Sequence, residues 1–403
     1  MVADASMRQG SAADAVDGVV PRQMVEPADA TDLAATLHAA SRDRQVTVLR
    51  GGGTKLGWGR TPSSVDLLVS TSRLNTLLVH RHGDLTVTAH AGVTLSQLNR
   101  ELARHGQWLP VDSAFDSATV GGIVATNDSG PMRHRHGTPR DLLIGVTLAL
   151  TDGRLVKAGG TVVKNVAGYD LGKLVSGSFG TLGAIVDATF KLLPIPQASA
   201  TLDAAYDDGE VLARDVMQVS TSQLEPMAFD VMLDGGVYRL RLLFASSPAA
   251  VRSQIESAQR LLSKPSSVLT DEREVVVWND QVRAPWSGTG AVIRLGWLPA
   301  QIVEITTLMH DVQKIAGPVM LVGRVGTGAG LLRVDADVRS QVALVQRLRS
   351  SLWVGNVSVL RADVELKKHI DVWGPQPSSF DPARALKQMF DPAGILNAGR
   401  GPV

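Results

Sequence analysis

Three glycine-rich segments in the first half of the chain constrain its fold more than any other feature. The first, "RGGGTKLGWG" over residues 50–59, places five glycines in ten positions after the apolar run "VTVL". The second covers residues 117–141 and the third covers residues 159–190. Glycine loses more conformational freedom on folding than any other residue, so such clusters are costly to order. Three of them favour a shared role, in which one long anionic ligand meets bare backbone at several points of one domain.

Each segment on its own also fits a simpler interpretation. Residues 50–59 fit a plain strand-to-loop turn, because they show neither P-loop spacing nor a GxGxxG sequence that opens a helix. The second segment fits an ordinary turn, and the third fits a loop under a packing or ligand constraint. In the alternative interpretation, the glycines at residues 51–53 let several backbone amides converge on one anion, and Arg50 and Lys55 add positive charge.

Length and composition indicate a globular protein with more than one domain. The chain has 403 residues, of which 44% are hydrophobic and 20% are charged, so two domains are expected. A net charge of +1 gives no broad electrostatic reason to expect nucleic acid or an anionic membrane as a partner. No apolar run reaches membrane-spanning length. Residues 1–20 contain no signal-peptide core and are expected to form a disordered tail.

Cysteine is absent from the sequence. The chain therefore forms no disulfide and no thiolate metal site, and it does not ligate an ordinary iron–sulfur cluster by itself. If the protein performs redox chemistry, its electrons must leave through a partner subunit, a quinone, oxygen or another small acceptor.

Hydrophobic periodicity predicts mixed strands and helices up to residue 197. A helix is expected over residues 27–42, and a second helix is expected to begin at Thr94, with Gln97 completing a capping box. Alternating or continuous apolar runs predict strands over residues 45–49, 66–70, 85–91, 142–150 and 182–196.

A second pattern begins beyond Pro196, where the glycine-rich character fades. A hairpin is expected over residues 229–244. Amphipathic helices and strand-like runs then alternate, with helices over 248–264, 299–315 and 337–353 and strands over 289–297, 317–325 and 355–361. This mixture predicts an antiparallel sheet covered by helices, so the fold class is α+β with a domain boundary near residue 197. Residues 380–400 are expected to form a separate turn-rich unit.

A series of motifs makes the sequence recognisable: "GGGT", "TVGGIVATNDSG", "GTPRD", "VKNVAGYDL", "GSFGTLGAI" and the terminal "FDPAGILNAGR". Together they resemble the FAD-binding domain of the vanillyl-alcohol-oxidase/PCMH flavoprotein superfamily, and within it the glycolate oxidase FAD-binding subunits. The resemblance covers residues 21–197 and 380–400. It implies a PCMH-type FAD-binding domain of two α+β subdomains over 21–197 and an α+β cap or substrate domain over 198–375. A carboxyl-terminal segment, 376–403, would return to the FAD domain.

The resemblance also implies which residues would hold FAD. Residues 50–56 would form the pyrophosphate loop, residues 119–122 a second backbone wall, and residues 180–185 the last close approach. Some relatives attach FAD covalently through a histidine in the first loop; Thr54 and Lys55 stand there in this chain, which implies non-covalent FAD. The implied cofactor-binding residues are Arg50, Gly51, Gly52, Gly53, Thr54, Lys55, Leu56, Thr119, Val120, Gly121, Gly122, Thr126, Asn127, Gly130, Gly137, Gly180, Gly183, Ile185 and Asn397, with Lys164 as a further candidate phosphate contact.

The histidines do not predict a metal site. His134 and His136 flank an arginine and would fit a metal pair, but a polar loop beside the cofactor is the favoured interpretation. Related 2-hydroxy-acid dehydrogenases carry a metal-binding His-x-His in the cap domain, whereas residues 197–375 of this chain contain only His310 and His369. No metal is therefore expected.

The implied chemistry is flavin-dependent oxidation of a 2-hydroxy acid. The flavin would accept the hydride from the α-carbon, a base would take the hydroxyl proton, and an arginine would bind the carboxylate by a bidentate contact. Nothing in the sequence identifies the base. Four arginines on predicted strands of the second domain could bind the carboxylate: Arg241, Arg294, Arg324 and Arg361. Arg324 and Arg361 are kept as the candidate catalytic residues.

The resemblance implies an FAD-binding subunit of a glycolate oxidase complex, which oxidises glycolate to glyoxylate. A paralogous FAD subunit and an iron–sulfur subunit are the implied partners, in the cytoplasm or peripherally on the inner face of the cell membrane. One alternative is a self-sufficient D-2-hydroxy-acid dehydrogenase. Another is a non-catalytic, electron-relaying FAD subunit, which the missing His-x-His and the absent cysteines favour. An oxidase acting on a sugar lactone or an alcohol is a further alternative.

Overall fold

The computed structural model describes residues 6–161, 169–376 and 380–402. They divide into two compact units. The first unit comprises the described parts of Met1–Ser129, Gly137–Ile195 and Pro375–Val403, and the second comprises Gly130–His136 and Pro196–Gly374. The sequence placed the main boundary near residue 197 and did not predict that Gly130–His136 belongs with the second unit. No helix of the described residues has the length and apolar character that crossing a membrane requires.

The strands of the described residues are β1 (Ser6–Gln9), β2 (Gln23–Glu26), β3 (Thr47–Arg50), β4 (Leu67–Ser70), β5 (Leu77–Arg81), β6 (Thr86–His90), β7 (Gln107–Trp108), β8 (Leu143–Ala149), β9 (Leu155–Gly159), β10 (Ala184–Lys191), β11 (Leu193–Pro194), β12 (Ala198–Tyr206), β13 (Ala228–Asp234), β14 (Val237–Ser246), β15 (Ser266–Leu269), β16 (Ala291–Gly296), β17 (Val319–Arg324), β18 (Ala329–Val334) and β19 (Asn356–Arg361).

The α-helices are α1 (Ala30–Arg42), α2 (Leu95–Ala103), α3 (Val120–Thr126), α4 (Arg133–His136), α5 (Pro139–Leu142), α6 (Leu171–Val175), α7 (Gly209–Ser220), α8 (Pro248–Leu261), α9 (Asp271–Arg283), α10 (Ile302–Ala316), α11 (Val338–Arg349), α12 (Val364–His369) and α13 (Phe380–Phe390). The α+β fold class is confirmed.

The first unit contains two main sheets. One has the order β1-β2-β4-β3, in which β2, β4 and β3 run parallel and β1 is antiparallel. The other is antiparallel with the order β5-β6-β10-β8-β9. The carboxyl-terminal segment joins the first sheet, because Leu396 forms a parallel bridge with Thr47 on β3. This return brings the end of the chain to the strand that leads into the first glycine-rich loop.

The prediction of a disordered tail over residues 1–20 is wrong for residues 6–20. β1 pairs with β2, and Val16 is fully buried in a cluster with Met24 and Val48. The segment is short and polar, so its order depends on ion pairs and one buried valine. Neither feature leaves a hydrophobic period in the sequence.

The second unit is built on one antiparallel sheet of order β15-β12-β14-β13-β17-β18-β16-β19. Apolar side chains on one face of this sheet pack with buried residues of α7, α8, α10 and α11. Helix α9 covers part of the opposite face, where Trp278 donates to Thr201 at 2.8 Å and Gln281 donates to Asp230 at 2.9 Å. The helix-covered antiparallel sheet expected from the sequence is therefore present, with a polar second face.

Several element predictions need correction. Gly121 and Gly122 lie inside α3 rather than in a turn, because the Thr119 side chain caps this helix by accepting from the Gly122 amide at 3.4 Å. The strand predicted over residues 182–196 ends at Lys191. The segment predicted to be turn-rich begins with α13, and β12, β18, α7 and α9 were not predicted.

Asp215 on α7 anchors a buried polar network of the second unit. It is 1% exposed and accepts hydrogen bonds from the Tyr206 hydroxyl at 2.7 Å and from the amide and hydroxyl of Ser263 at 2.8 and 2.9 Å. We expect D215A to lower the unfolding free energy of this unit by about 2–4 kcal/mol, because three donors lose their acceptor.

Chemical denaturation followed by tryptophan fluorescence measures this effect, since five of the seven tryptophans lie in residues 278–373. The matched control is D207A, which removes an exposed carboxylate paired with Lys264. A surface ion pair of this kind contributes about 0–1 kcal/mol. Equal losses for the two variants would contradict the prediction.

Candidate functional site

One cleft in the first unit collects residues from all three glycine-rich segments. The loop after β3 forms one wall, α3 and the residue before it form a second wall, and the turn before β10 closes the far side. The predicted cofactor residues along this cleft are Arg50, Gly51, Gly52, Gly53, Thr54, Lys55, Leu56, Thr119, Gly121, Gly122, Thr126, Gly180, Gly183, Ile185 and Asn397.

The backbone amides of residues 51–55 suit this cleft to an anion. Pairing of β3 with β4 ends at Arg50. From residue 51 to residue 55, no backbone amide donates a hydrogen bond to another described residue, and donation resumes with Leu56 to the carbonyl of Gly53 at 3.4 Å. Backbone donors that the fold leaves unpaired need water or a ligand as acceptor, so consecutive unpaired donors along a cleft wall form a site for anionic oxygens.

Positions 51 and 52 of the first loop require glycine because the second glycine-rich segment approaches them closely. A Cβ on Gly52 would lie 1.8 Å from the carbonyl oxygen of Ser117, and a Cβ on Gly51 would lie 2.1 Å from Oγ1 of Thr119. Gly53 has a φ of 74°, a left-handed conformation that glycine adopts without strain. The loop backbone therefore lies against the Ser117 backbone and the Thr119 side chain, and the absence of side chains at residues 51–53 leaves the loop amides accessible to a ligand.

Both cationic side chains of the loop are already paired. Arg50 Nη1 lies 3.0 Å from Asp14 Oδ1, and Lys55 Nζ lies 3.1 Å from Asp128 Oδ2. The Lys55 side chain is 7% exposed. The sequence suggested that these residues add positive charge for an anion, whereas in the structure each of them faces a carboxylate. Recognition of an anion in this cleft thus falls mainly to the backbone dipoles.

The carboxyl-terminal segment holds the loop from the other side. The guanidinium group of Arg400 donates to the carbonyl oxygen of Leu56, and to that of Trp58 at 3.1 Å. The Asn397 side chain donates to the carbonyl of Phe179. Burial lowers the pKa of Arg400 to about 10, so the group remains protonated at neutral pH. Arg400 and Asn397 thereby connect the first and third glycine-rich segments.

A buried ion pair anchors this carboxyl-terminal segment. Lys387 on α13 contacts Asp391 and donates to the carbonyl oxygens of Thr181 at 2.9 Å and Leu396 at 3.0 Å. Burial lowers the pKa of Lys387. Asp391 in turn accepts from the Leu396 amide at 2.8 Å, which fixes the turn that leads into Asn397.

Four residues predicted to bind the cofactor do not line the cleft. Val120 is 2% exposed and packs in the core of the first unit. Asn127 ends α3 in a left-handed conformation with a φ of 48°. Gly137 has a φ of 77° and approaches the Asp141 side chain too closely for a Cβ. Gly130 belongs to the second unit. Lys164 lies outside the described residues.

The cleft also contains residues that the sequence analysis did not assign to the cofactor. Some lie within the quoted motifs, and others follow β4 or β6 directly, where the ends of neighbouring strands meet the cleft. The unassigned residues along the cleft are Leu49, Thr71, Ala91, Ala125 and Phe179. A search of strand ends beside the glycine motifs would have found Thr71 and Ala91.

Two candidate arginines of the second unit have structural partners. Arg241 contacts Asp203 at 3.0 Å and donates to the side-chain oxygen of Gln281 at 2.6 Å. Arg361 donates to the carbonyl oxygens of Trp286 at 2.8 Å and residue 290 at 3.0 Å. These contacts occupy their guanidinium groups. Arg294 lies on β16, on the same face of the sheet as the polar residues.

Arg324 differs from Arg241 and Arg361. It ends β17 opposite Asp230 on β13 and is 5% exposed. Among the described residues its guanidinium group has neither a hydrogen bond nor an ion pair, and its Nε is buried. A buried cation is stable only when it is paired. Arg324 is therefore the arginine of this face with capacity for an anion.

The histidines of the second glycine-rich segment lie in α4. The ring of His134 is edge-on to Phe229, with 5.8 Å between the ring centroids. Burial, with a smaller contribution from Arg135, lowers the pKa of His134, so its ring is neutral at neutral pH. In the described part of the chain, no three histidine, cysteine or acidic residues are grouped so that they could hold a metal ion.

Comparisons with known proteins identify the first unit. The family described as an FAD binding domain matches residues 21–159. An uncharacterised FAD-linked oxidoreductase of Mycobacterium tuberculosis is 30% identical over 415 residues, which cover 94% of this chain and 90% of that protein. The glycolate oxidase subunit GlcD of Bacillus subtilis is 25% identical over 431 residues, which cover 94% of this chain and 89% of that protein.

Two further similarities are partial or concern the fold alone. D-lactate dehydrogenase of Archaeoglobus fulgidus is 34% identical over 209 residues, so the match covers 52% of this chain and less than half, 47%, of that protein. The solved structure of an alkyldihydroxyacetonephosphate synthase has a TM-score of 0.72 at 16% identity and covers 94% of this chain and 76% of that one. This similarity shows the same fold.

Substitution of one loop glycine tests the cleft directly. We expect G52A to weaken FAD binding by about 100-fold or more, because the added methyl collides with backbone at Ser117 and moves the unpaired amides. The matched control in the same loop is G57A, whose Cβ would have its nearest contact at 3.7 Å. Titration of the FAD-free protein, followed by quenching of flavin fluorescence, measures both. Equal affinity for G52A and the wild type would contradict this account of the loop.

The residues of the cleft fit FAD. Unpaired amides over residues 51–55 suit its diphosphate, and the glycine contacts at residues 117–122 leave the backbone accessible. The matching family covers both of these segments. The sequence predictions of FAD as cofactor and of an oxidoreductase are confirmed. The chain belongs to the family of FAD-linked oxidoreductases that have a PCMH-type FAD-binding domain.

Proposed function

We propose that this protein is the FAD-binding subunit of a glycolate (2-hydroxy acid) oxidase complex, in which glycolate is oxidised to glyoxylate. The observation that carries the proposal is the run of unpaired amides over residues 51–55 in a cleft walled by glycine. The likeness over 94% of the chain to a glycolate oxidase subunit supports the substrate class. FAD, when bound, supplies the acceptor for the hydride from the substrate's α-carbon.

The chain's own contribution in the first unit is to bind and orient the cofactor. The amides of residues 51–55 would bind the diphosphate, and Arg400 and Asn397 connect the first glycine-rich loop with the third glycine-rich segment. We propose that the cofactor is held non-covalently, because Thr54 and Lys55 offer no ring nitrogen for a flavin bond. The Lys55 ammonium is in addition occupied by Asp128.

We further propose that residues 198–375 bind the substrate and that Arg324 binds its carboxylate. Support comes from the burial of Arg324 and from the absence of a partner for its guanidinium group among the described residues. A guanidinium group matches a carboxylate in two parallel hydrogen bonds, and burial strengthens such a pair. Arg361, the other arginine retained from the sequence, is less suited because two backbone carbonyls occupy it.

The electrons would leave through partner subunits. The chain has no cysteine, so an iron–sulfur cluster would have to be ligated by another chain. The relative of Bacillus subtilis is itself described as a subunit, which supports assembly with a paralogous FAD subunit. We propose a cytoplasmic complex, with peripheral association at the membrane arising through a partner.

A self-sufficient D-2-hydroxy-acid dehydrogenase is the second candidate. Arg324, which is buried and has no partner among the described residues, favours this enzyme over a subunit that only relays electrons, because a relay needs no carboxylate site. Anaerobic mixing of the purified chain with glycolate or D-lactate separates these possibilities. We expect glycolate to bleach the flavin, so that its absorbance at about 450 nm falls.

Bleaching by the chain alone would exclude a relay-only role. If neither glycolate nor D-lactate bleaches the flavin, in the presence or absence of partner subunits, the proposed function is contradicted. FAD binding would be unaffected by that result. Bleaching that requires a partner subunit would exclude the self-sufficient enzyme.

The substrate role of Arg324 has its own test. We expect R324M to raise the KM for a 2-hydroxy acid by about 30- to 100-fold, since a charge-assisted contact contributes roughly 2–3 kcal/mol. The control is R239M, which removes an arginine of the same sheet that is 48% exposed and paired with Asp203. Steady-state or single-turnover reduction of the flavin measures both variants. An unchanged KM in R324M would remove Arg324 from the substrate site.

A further inference from the structure

The N-terminal segment, defined here as residues 6–20, contacts the first glycine-rich loop. Its 3₁₀ turn over Ala12–Asp14 follows β1, and Asp14 reaches Arg50, the residue that immediately precedes the unpaired amides. A second cavity of the first unit is lined on one side by Ala13 and Asp17 and on the other by the loop glycines. The segment therefore forms part of the wall of a cavity that the loop glycines also line.

Asp14 is the centre of this contact. Its side chain is 3% exposed and accepts two hydrogen bonds from Arg8 at 2.7 and 2.8 Å. It also accepts from the amide and hydroxyl of Ser11 at 3.0 and 2.7 Å, and from Arg50 at 3.0 Å. The hydrogen bonds from Arg8, and then those from Ser11 and Arg50, hold the pKa of Asp14 well below its usual range. The group is a buried, ionised carboxylate.

This carboxylate fixes Arg50 in one orientation. One terminal nitrogen of the guanidinium group contacts Asp14, and the other lies 3.7 Å from the sulfur of Met24 on β2. The carbonyl of Arg50 meanwhile accepts from the Thr71 amide at 2.9 Å, where the parallel strands end. Side chain and backbone of Arg50 are thus both held immediately before Gly51. Without Asp14, Arg50 would carry an unbalanced charge beside the cleft and would lose the contact that fixes the orientation of its side chain.

We propose that Asp14 is a positioning residue for FAD, and that ordering of the N-terminal segment is coupled to occupation of the cleft. The two events are thermodynamically linked: if an ordered segment favours the loop conformation that binds FAD, bound FAD must favour the ordered segment by the same factor. This inference rests on FAD as the cofactor and is independent of the substrate proposed above.

The first measurement needs no variant. Amide hydrogen exchange of the full chain is compared without and with saturating FAD. We expect amides within residues 6–20 to exchange about tenfold more slowly in the FAD-bound protein. An unchanged exchange rate in this segment, in protein whose glycine loop does gain protection, would overturn the coupling.

The second measurement compares D14N with D43N. D14N keeps the shape of the side chain and removes its charge, whereas D43N does the same at the surface pair of Arg42 and Asp43, which lie 2.9 Å apart. We expect D14N to weaken FAD binding about tenfold or more and D43N to change it by less than about twofold. D14N should also lose the FAD-dependent protection of residues 6–20.

A merely structural role would give a different result. D14N would then lower the melting temperature of the FAD-free protein and leave FAD affinity and segment protection as in the wild type, and that outcome would refute the proposal. The double variant D14N/R50M completes the test. If Asp14 acts through Arg50, the losses in FAD affinity are not additive, and full additivity would contradict this route.

If D14N does not fold, R8M replaces it, since that variant removes the half-exposed partner of Asp14 and leaves the pair with Arg50 intact. We then expect FAD affinity to fall by less than about threefold, with segment protection retained. Loss of the FAD-dependent protection of residues 6–20 in R8M that still binds FAD with wild-type affinity would contradict the coupling, because linkage requires the two to change together. None of these measurements involves a hydroxy acid, so their outcome is separate from that of the proposed function.

Discussion

The close approach of the first glycine-rich loop to residues 117–119 is the contact on which the cofactor cleft depends. Thr119 has three roles here. Its side chain caps α3, contacts the backbone at Gly51 and lines the cleft. The loop gains its shape from this contact and from the end of the β3–β4 pairing. Its own amides therefore need no internal partners and remain available. An unpaired amide is costly away from water, so the arrangement is sound only where water or a ligand supplies the acceptor.

The electrostatics of the cleft follow from the pairing of its cations. Arg50 and Lys55 each face a carboxylate, so the loop presents partial positive charges from amides in place of full charges. Full charges would attract any anion over a Debye length of about 8 Å at physiological salt. Amide dipoles act only at hydrogen-bond distance and in a fixed direction. Such a site favours a ligand whose shape places oxygens along the whole loop, as a dinucleotide does, over small free anions.

Local patterns in the sequence predicted those elements whose order is set by near neighbours. Helix α2 begins after Thr94, as predicted, and the Gln97 amide donates to the Thr94 hydroxyl at 3.1 Å, which is the N-cap half of the predicted capping box. The glycine motifs likewise indicated most of the cleft wall. Contacts between distant residues could not be predicted this way. Asp14 and Arg50 are 36 positions apart, and the polar face under α9 depends on Glu274 meeting Thr201 at 2.6 Å. Neither contact produces a period or a motif.

The arginines of the second unit show why sequence alone could not select a substrate residue. Three of the candidates, Arg241, Arg324 and Arg361, lie on strands. The alternation of polar and apolar residues does not distinguish one from another. They differ in the hydrogen-bond and ion-pair partners that each guanidinium group has in the folded protein. Desolvating a cation costs several kcal/mol unless an anion or a set of carbonyls replaces water. Arg241 and Arg361 meet that cost within the fold, whereas Arg324 does not among the described residues. A carboxylate of a bound ligand would supply the acceptors that Arg324 lacks among the described residues, so folding, and not the sequence pattern, singles it out as a candidate binding residue.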